Sequence, residues 1–412
     1  MSKLEELITE LCPEGVTYKP LEALGHFFGG LTGKSKDDFT NGNATFITYK
    51  NVYSNPALNI APNDTVKIAE RENQRTLKYG DVIFTGSSET PNECGFSSVV
   101  TKKPEKPLYL NSFCFFFRFN NLSIIEPDFA KHLFRSSNLR YQISKTANGV
   151  TRFNVSKKLM AKIVIPLPPL PVQNEIVRIL DNFTELTAEL TAELTARKQQ
   201  YEYYRDSLLT FGDDVPLVTL GEIAAIVRGG NFQKKDFTET GVPCIHYGQI
   251  YTKYGLSATE TITFINEIVA KKSKFASKND IVMAVTSENI EDVCKCVVWL
   301  GEDDAAISGH TAIIKHNQNS KFLAYYFHTY MFFKDKIKLA HGTKVIEVTP
   351  SKLADIKIPL PSLDEQARIV EILDKFDTLT TDITKGLPAE IEARKKQYEY
   401  YRDKLLTFKE LS

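Results

Sequence analysis

One fifteen-residue string occurs twice in this chain. RKQQYEYYRDSLLTF, Arg197 to Phe211, returns as RKKQYEYYRDKLLTF, Arg394 to Phe408, identical at 13 of 15 positions with an offset of 197. Near-identity over that length marks an internal duplication, so the fold must solve one packing problem twice. The correspondence extends upstream. IPLPPLPVQNEIVRILDNF from Ile165 mirrors IPLPSLDEQARIVEILDKF from Ile358, and NGVTRFNVSKKLMAKI from Asn148 mirrors HGTKVIEVTPSKLADI from His341 more weakly. Farther back only a skeleton remains: FITYKN near Phe46 against CIHYGQ near Cys244, GDVIFTGSSET near Gly80 against NDIVMAVTSEN near Asn279, and Leu24-Gly25 against Leu220-Gly221. Each half therefore has a variable front and a nearly fixed back. The backs do one shared job twice, and the fronts do different jobs on a common scaffold. The implied domains are residues 1–155 and 212–348 for the two fronts, and 156–211 and 349–412 for the two backs.

The backs read as long helices. Ile176, Ile179, Leu180, Phe183, Leu186, Leu190, Leu194, Tyr201, Tyr204 and Leu208 follow spacings of three, four and seven, as do Ile369, Ile372, Leu373, Phe376, Leu379, Tyr398, Tyr401 and Leu405. Ser362-Leu363-Asp364-Glu365 has a capping-box pattern, and Pro171 suits a first helical turn. A lone amphipathic helix of ~40 residues, ~60 Å long, needs a partner, and the other copy supplies one in an antiparallel pair. Gly386 and Pro388 are expected to interrupt the second helix. The first carries TAELTAEL, Thr187 to Leu194. Phe183 to Arg197 spans 14 residues and Phe376 to Arg394 spans 18, a difference of one four-residue unit.

Lys+Arg and Asp+Glu balance at 51 each, which excludes a wholly basic nucleic-acid coat but leaves room for local basic faces. The six cysteines form no CxxC pair and no zinc spacing, so they read as buried free thiols of a reducing compartment, with a cytoplasmic location expected. MSKLEELITEL is acidic and amphipathic, unlike a signal peptide, and no apolar run approaches ~18 residues, so no membrane association is expected.

Catalytic signatures do not assemble. Ser54-Asn55-Pro56-Ala57-Leu58 lacks the second proline and the aromatic of an adenine-methyltransferase loop. Gly29-Gly30-Leu31-Thr32-Gly33-Lys34-Ser35 has Phe28 where a P-loop needs its first glycine. Pro127-Asp128 and Asp355-x-Lys357 do not complete a nuclease motif. No catalytic residue and no metal ligand is assigned.

Four stretches of the fronts carry side chains suited to phosphates and base edges. The first is the Gly-rich segment with Lys34 and Lys36, against Arg228, Asn231, Lys234 and Lys235. The second is Thr48, Tyr49, Lys50 and Asn51, against His246, Tyr247 and Gln249. The third is Ser87 and Ser88, against Ser287 and Asn289. The fourth is Thr151 and Arg152, against Thr343 and Lys344. On the helices, Tyr201, Tyr204, Arg205, Tyr398, Tyr401 and Arg402 are retained in both copies and are candidates for docking a partner protein.

The duplicated RK[QK]QYEYYRD[SK]LLTF strings, the paired IPLP segments and TAELTAEL resemble the specificity subunit of type I restriction–modification systems, particularly the type IC group. The resemblance covers the whole chain in architecture and is strongest at the repeats. It implies an α+β fold, with two mixed α/β target-recognition domains joined by an antiparallel pair of long helices in a pseudo-twofold tandem repeat. Each domain would read half of a bipartite asymmetric site in double-stranded DNA. The helices would set the half-site spacing and dock two methyltransferase subunits, with two restriction/translocase subunits joining for cleavage. S-adenosylmethionine, ATP and Mg2+ would sit on those partners, with no cofactor on this chain. The competing readings are a single-chain methyltransferase or nuclease, disfavoured by the missing motifs, and a coiled-coil scaffold, which has no reason to diversify its fronts.

Overall fold

The computed structural model describes residues 2–381 and 386–411. The chain forms two compact units, and neither is a sequence repeat. One comprises Met1–Glu189 with Ile391–Ser412, the other Leu190–Glu390. The boundary falls inside each fixed back: the IPLP-headed segment stays with its own front, and the RK[QK]QYEYYRD string folds into the unit that holds the other copy's front.

In the first unit an antiparallel sheet runs in the order Gly25–Gly29, Cys114–Phe119, Val82–Thr85, Ser97–Val99. Side chains alternate across a strand, so Phe115, Phe117 and Phe119 join one core while Cys114 and Phe116 join another. The first core is closed by helices, through Phe129, Leu133, Ile143, Val172, Ile176 and Leu180. The second is closed by a smaller sheet of Thr65–Val66, Ala44–Ile47 and Leu108–Leu110. The result is three layers: helices, sheet, sheet. A sheet covered on both faces explains why CFFFRF is apolar apart from Arg118 instead of alternating. A buried charge sits beside its inner strands: Asp81, just before Val82–Thr85, is 1% exposed and receives Arg118 Nε at 2.7 Å and Nη2 at 2.6 Å.

The second unit repeats the plan. One of its two five-stranded sheets runs Ala224–Arg228, Thr311–His316, Ile281–Ala284, Cys296–Trp299, Ser257–Ala258. Ile281, Met283 and Ile314 face the helical side, and Val282, Val297, Trp299 and Ile313 the other. Burial there drives His328 down to about 4 while its Nδ1 bonds the Ala324 carbonyl at 2.7 Å. An unfolded histidine titrates near ~6.5. Between the two values the unfolded chain binds the extra proton, so stability is full above the unfolded value and is lost as pH falls toward the folded one. Melting temperature is expected to drop from pH 7 to pH 5, with a shallower slope in His328→Leu. Parallel slopes would refute this.

The helices begin and end largely where the periodicity places them. The first long helix is Leu170–Leu208, 39 residues, with Pro171 in its first turn. The second back forms Leu363–Thr381 and Leu387–Leu405. Gly386 and Pro388 therefore mark a helix start, where proline costs no hydrogen bond, while the continuity of the spacer across 382–385 lies outside the described residues. The expected capping box is half formed. Ser362 Oγ accepts the Glu365 N–H at 3.3 Å, but the Glu365 carboxylate turns to Arg368 at 2.6 and 2.8 Å. The apolar stripe of the first helix is also shorter than the periodicity predicts. Its buried positions stop at Leu180, and Leu186 is 37% exposed. In the first unit Phe183 stacks on Tyr401 at 5.3 Å, and in the second Tyr204 stacks on Phe376 at 5.5 Å. These are equivalent Phe–Tyr pairs, one in each unit, each formed between residues of the two copies.

All six cysteines are free and buried, and burial raises the Cys114 and Cys294 thiols to about 12. Among the described residues, no helix is long and apolar enough to cross a membrane, and no His/Cys/Asp/Glu group could hold a metal ion.

Candidate nucleic-acid interface

In the first unit the structure gathers stretches that lie far apart in the chain. Ser87–Ser88 pairs with Phe153–Val155, which pairs back with Ala147–Asn148. Gly149 turns this hairpin at φ 150°, and a Cβ there would stand 2.0 Å from the Arg152 carbonyl oxygen. The tip carries Val150, 91% exposed, with Thr151 and Arg152. The Arg152 guanidinium donates to Ser87 Oγ at 3.1 and 3.2 Å. Tyr49 Oη donates to the Ser87 carbonyl at 2.9 Å. Thr48 caps the helix Tyr49–Ser54, which leaves Lys50 exposed. The second, third and fourth candidate stretches therefore meet at Ser87.

Several expected contacts turn inward. Asn51 donates its amide to the Asn59 carbonyl at 2.8 Å and accepts from Asn55 Nδ2 at 2.9 Å, so it braces the loop that follows its helix. Ser88 Oγ bonds Glu93 at 3.1 Å. Lys34 is 9% exposed, with its ammonium 2.6 Å from Glu72 and 2.5 Å from the Lys67 carbonyl. The Lys34 hydrogen bond, with others from Gln74 and the Ala69 N–H, holds the Glu72 carboxyl down to about 2. Lys34 thus closes its own loop, and Lys36 keeps a solvent-facing charge.

The second unit assembles the equivalent stretches. Thr286–Ser287 pairs with Ile346–Glu347 beside a turn at Gly342, φ 107°, whose Thr343 and Lys344 are exposed. Arg228 bonds Glu347 at 2.7 Å and the Gly309 carbonyl at 2.9 Å, which ties the Gly-rich stretch to this hairpin. Asn231, Lys234 and Lys235 are exposed. His246 is buried as a helix cap, and burial, with Lys234 and His310 nearby, pulls it down to about 4, so it is neutral at pH 7. Gln249 is used at both ends, accepting the His246 N–H at 3.0 Å and donating to Thr263 Oγ1 at 3.0 Å. Tyr247 packs between His246 and His310, with ring centroids at 4.5 and 4.9 Å. Ser287 Oγ accepts the Asn289 N–H at 3.3 Å, and Asn289 is held by Asp292 at 2.8 Å.

A further turn, overlooked in the sequence, links these stretches in both units. Asn111 N–H donates to the Ile47 carbonyl at 3.0 Å, next to Thr48, and Gly86 N–H donates to the Phe113 carbonyl at 2.8 Å, next to Ser87. A Cβ on Gly30 would meet the Asn111 carbonyl oxygen at 2.1 Å. The second unit has the same bonds, Ser308 N–H to Ile245 at 3.1 Å and Val285 N–H to His310 at 3.0 Å, and Gly229 faces Ser308 at 2.1 Å. Its sequence signal is faint: LNSFC and ISGHT align at the offset 197 but share no residue. The glycines of the first stretch admit this close approach of backbone to backbone.

The retained helical residues fasten each head to its helices. Arg205 and Arg402 are 14% and 12% exposed and pair with Asp206 and Asp403 at 2.9 and 3.0 Å. Asp403 accepts the Ser137 N–H at 2.9 Å, and Asp206 the Tyr330 N–H at 3.3 Å, at the start of equivalent head helices. Tyr398 Oη bonds His132 Nδ1 at 2.9 Å, and burial raises the Tyr201 and Tyr398 phenols. Tyr204 and Tyr401 are 40% and 39% exposed, and the outward residues of the strings are Tyr203 and Tyr400, at 69% and 61%.

The family model for the type I restriction modification DNA specificity domain matches twice, over residues 13–197 and 212–393. The specificity subunit of the Escherichia coli enzyme EcoR124I/EcoR124II is 41% identical over 271 residues, 62% of this chain and 65% of that protein. A putative specificity subunit of Haemophilus influenzae, S.HindORF215P, is 35% identical over 63% of this chain and 68% of its own length. The aligned part thus spans about two thirds of these relatives. A solved chain from work on complex assembly and conformational transition of the type I R-M system shares the fold, with TM-score 0.63 at 19% identity, covering 96% of this chain and 98% of that one.

Proposed function

The chain belongs to the family of type I restriction–modification DNA specificity proteins, and from that premise we propose that it is the non-catalytic subunit that chooses the DNA site. Each head reads one half of a bipartite, asymmetric sequence in duplex DNA. One observation carries this reading. In both units the stretches that differ between the copies converge on one backbone frame, while the residues identical in both copies fasten heads to helices. Exposed cations at those stretches, Lys36, Lys50 and Arg152 in the first head and Lys234, Lys235 and Lys344 in the second, suit phosphate contacts that position a reader without selecting bases. The long helix sets the separation of the half-sites. Two methyltransferase subunits dock on the helices, with Tyr203 and Tyr400 as the exposed aromatic contacts, and two restriction/translocase subunits join them. S-adenosylmethionine sits on the former, ATP and Mg2+ on the latter, and this chain supplies neither nucleophile nor base.

Adenine-methylation mapping in cells expressing the chain with its partner methyltransferase tests this. A single split motif that disappears on deletion of the chain is expected. Methylation that is unaffected by the deletion would refute it.

A further inference from the structure

We infer that Phe113 and His310 are equivalent specificity-determining residues of the two heads, each presented to base edges by the shared 110–113 and 307–310 turns. This rests on the DNA-reading function proposed above and names residues that the four sequence stretches do not contain.

Phe113 is 61% exposed, although the strand it precedes, Cys114–Phe119, is almost wholly buried. Its backbone is fixed on both sides. The Phe113 N–H donates to Asn111 Oδ1 at 2.9 Å, and its carbonyl accepts Gly86 N–H. Asn111 is 6% exposed and anchored by Nδ2 to the Ile47 carbonyl at 2.9 Å. A large apolar ring held outward by a rigid, fully bonded turn loses little entropy on binding and cannot retreat into the core. It stands where the Gly30, Thr48 and Ser87 stretches meet. His310 occupies the same position, with its carbonyl accepting Val285 N–H and its exposed ring against Tyr247. The frame is shared and the presented side chain differs, which is the pattern needed to read different bases from one scaffold.

The chemistry assigns each a class of contact. Phe113 can make apolar contact with the 5-methyl group of thymine and has no hydrogen bond to offer. His310 offers ring nitrogens to a base-edge donor or acceptor.

The test uses the full chain with its partner methyltransferase and methylation mapping. In Phe113→Ser, discrimination at one base pair of one half-site is expected to fall at least tenfold, with the other half-site unchanged. His310→Phe is expected to alter one position in the opposite half-site. Both side chains are exposed, so unchanged melting profiles are expected and separate a reading defect from misfolding. An unaltered motif in both variants overturns the inference. So does a uniform loss of methylation with the motif intact, which would make these residues affinity contacts only. A wild-type chain that directs no split motif removes the DNA-reading function itself, a result distinguishable from failure of the variants alone.

Discussion

A chain carrying one further Thr-Ala-Glu-Leu unit after Leu194 is expected to abandon the original site and direct methylation to one whose halves lie one or two base pairs farther apart. The insertion falls in the unbroken helix Leu170–Leu208. Four helical residues add ~6 Å and rotate the far end ~40° beyond a full turn. Duplex DNA rises ~3.4 Å per base pair. The helix can accept the change because it contributes nothing to either core in that stretch: its buried positions end at Leu180, and Tyr201 is the next residue packed against a core. Both half-sites themselves should be unchanged, since no head residue is touched. Methylation mapping reads the result. Unchanged spacing, or altered bases within a half-site, would refute the spacer role of this helix.

Gln366→Leu is expected to destabilise the second unit by ~2–4 kcal/mol, and Gln173→Leu the first by a similar amount, measured as shifts in denaturation midpoint. Both glutamines are 0% exposed. Gln366 accepts the Asn319 N–H at 3.0 Å and donates to the Pro361 carbonyl at 2.9 Å. Gln173 accepts the Glu126 N–H at 2.8 Å and donates to the Pro168 and Ile124 carbonyls at 2.7 and 2.9 Å. Leucine keeps much of the volume, so the loss isolates the hydrogen bonding. Each buried backbone group left without a partner costs ~1–3 kcal/mol. A change below ~0.5 kcal/mol in both variants would show that the groups find other partners.

The same two glutamines show how much was legible in the sequence. They stand in both IPLP-headed segments, and their retention marks them as structural. Helical period places them on long helices, yet nothing local says that each one staples the helix to the start of a head helix nearly fifty residues upstream. Arg205 and Arg402 are a sharper case. Their duplication suggests a surface for a partner, whereas the structure turns them onto Asp206 and Asp403 to cap head helices. Lys34, Asn51 and Gln249 had the chemistry for DNA contact, but Glu72, Asn59 and Thr263 engage them. Arg152, Lys344 and Lys235 remain outward, and Phe113 joins them from the turn before a strand that reads as core.

The sequence by itself determined the duplication, the division into variable fronts and fixed backs, the start of the first long helix within its opening turn, and the family. These follow from repetition and from periods of a few residues, which are properties of neighbours along the chain. Only the tertiary structure decided that the end of each back crosses into the other copy's unit, that three separate stretches share one turn with a fourth joined through Ser87, and which polar side chains face outward. Those outcomes depend on contacts between residues tens to hundreds of positions apart, such as the bond from the Asn319 N–H to the wholly buried Gln366, where burial leaves a donor or acceptor no alternative to the partner the fold brings to it.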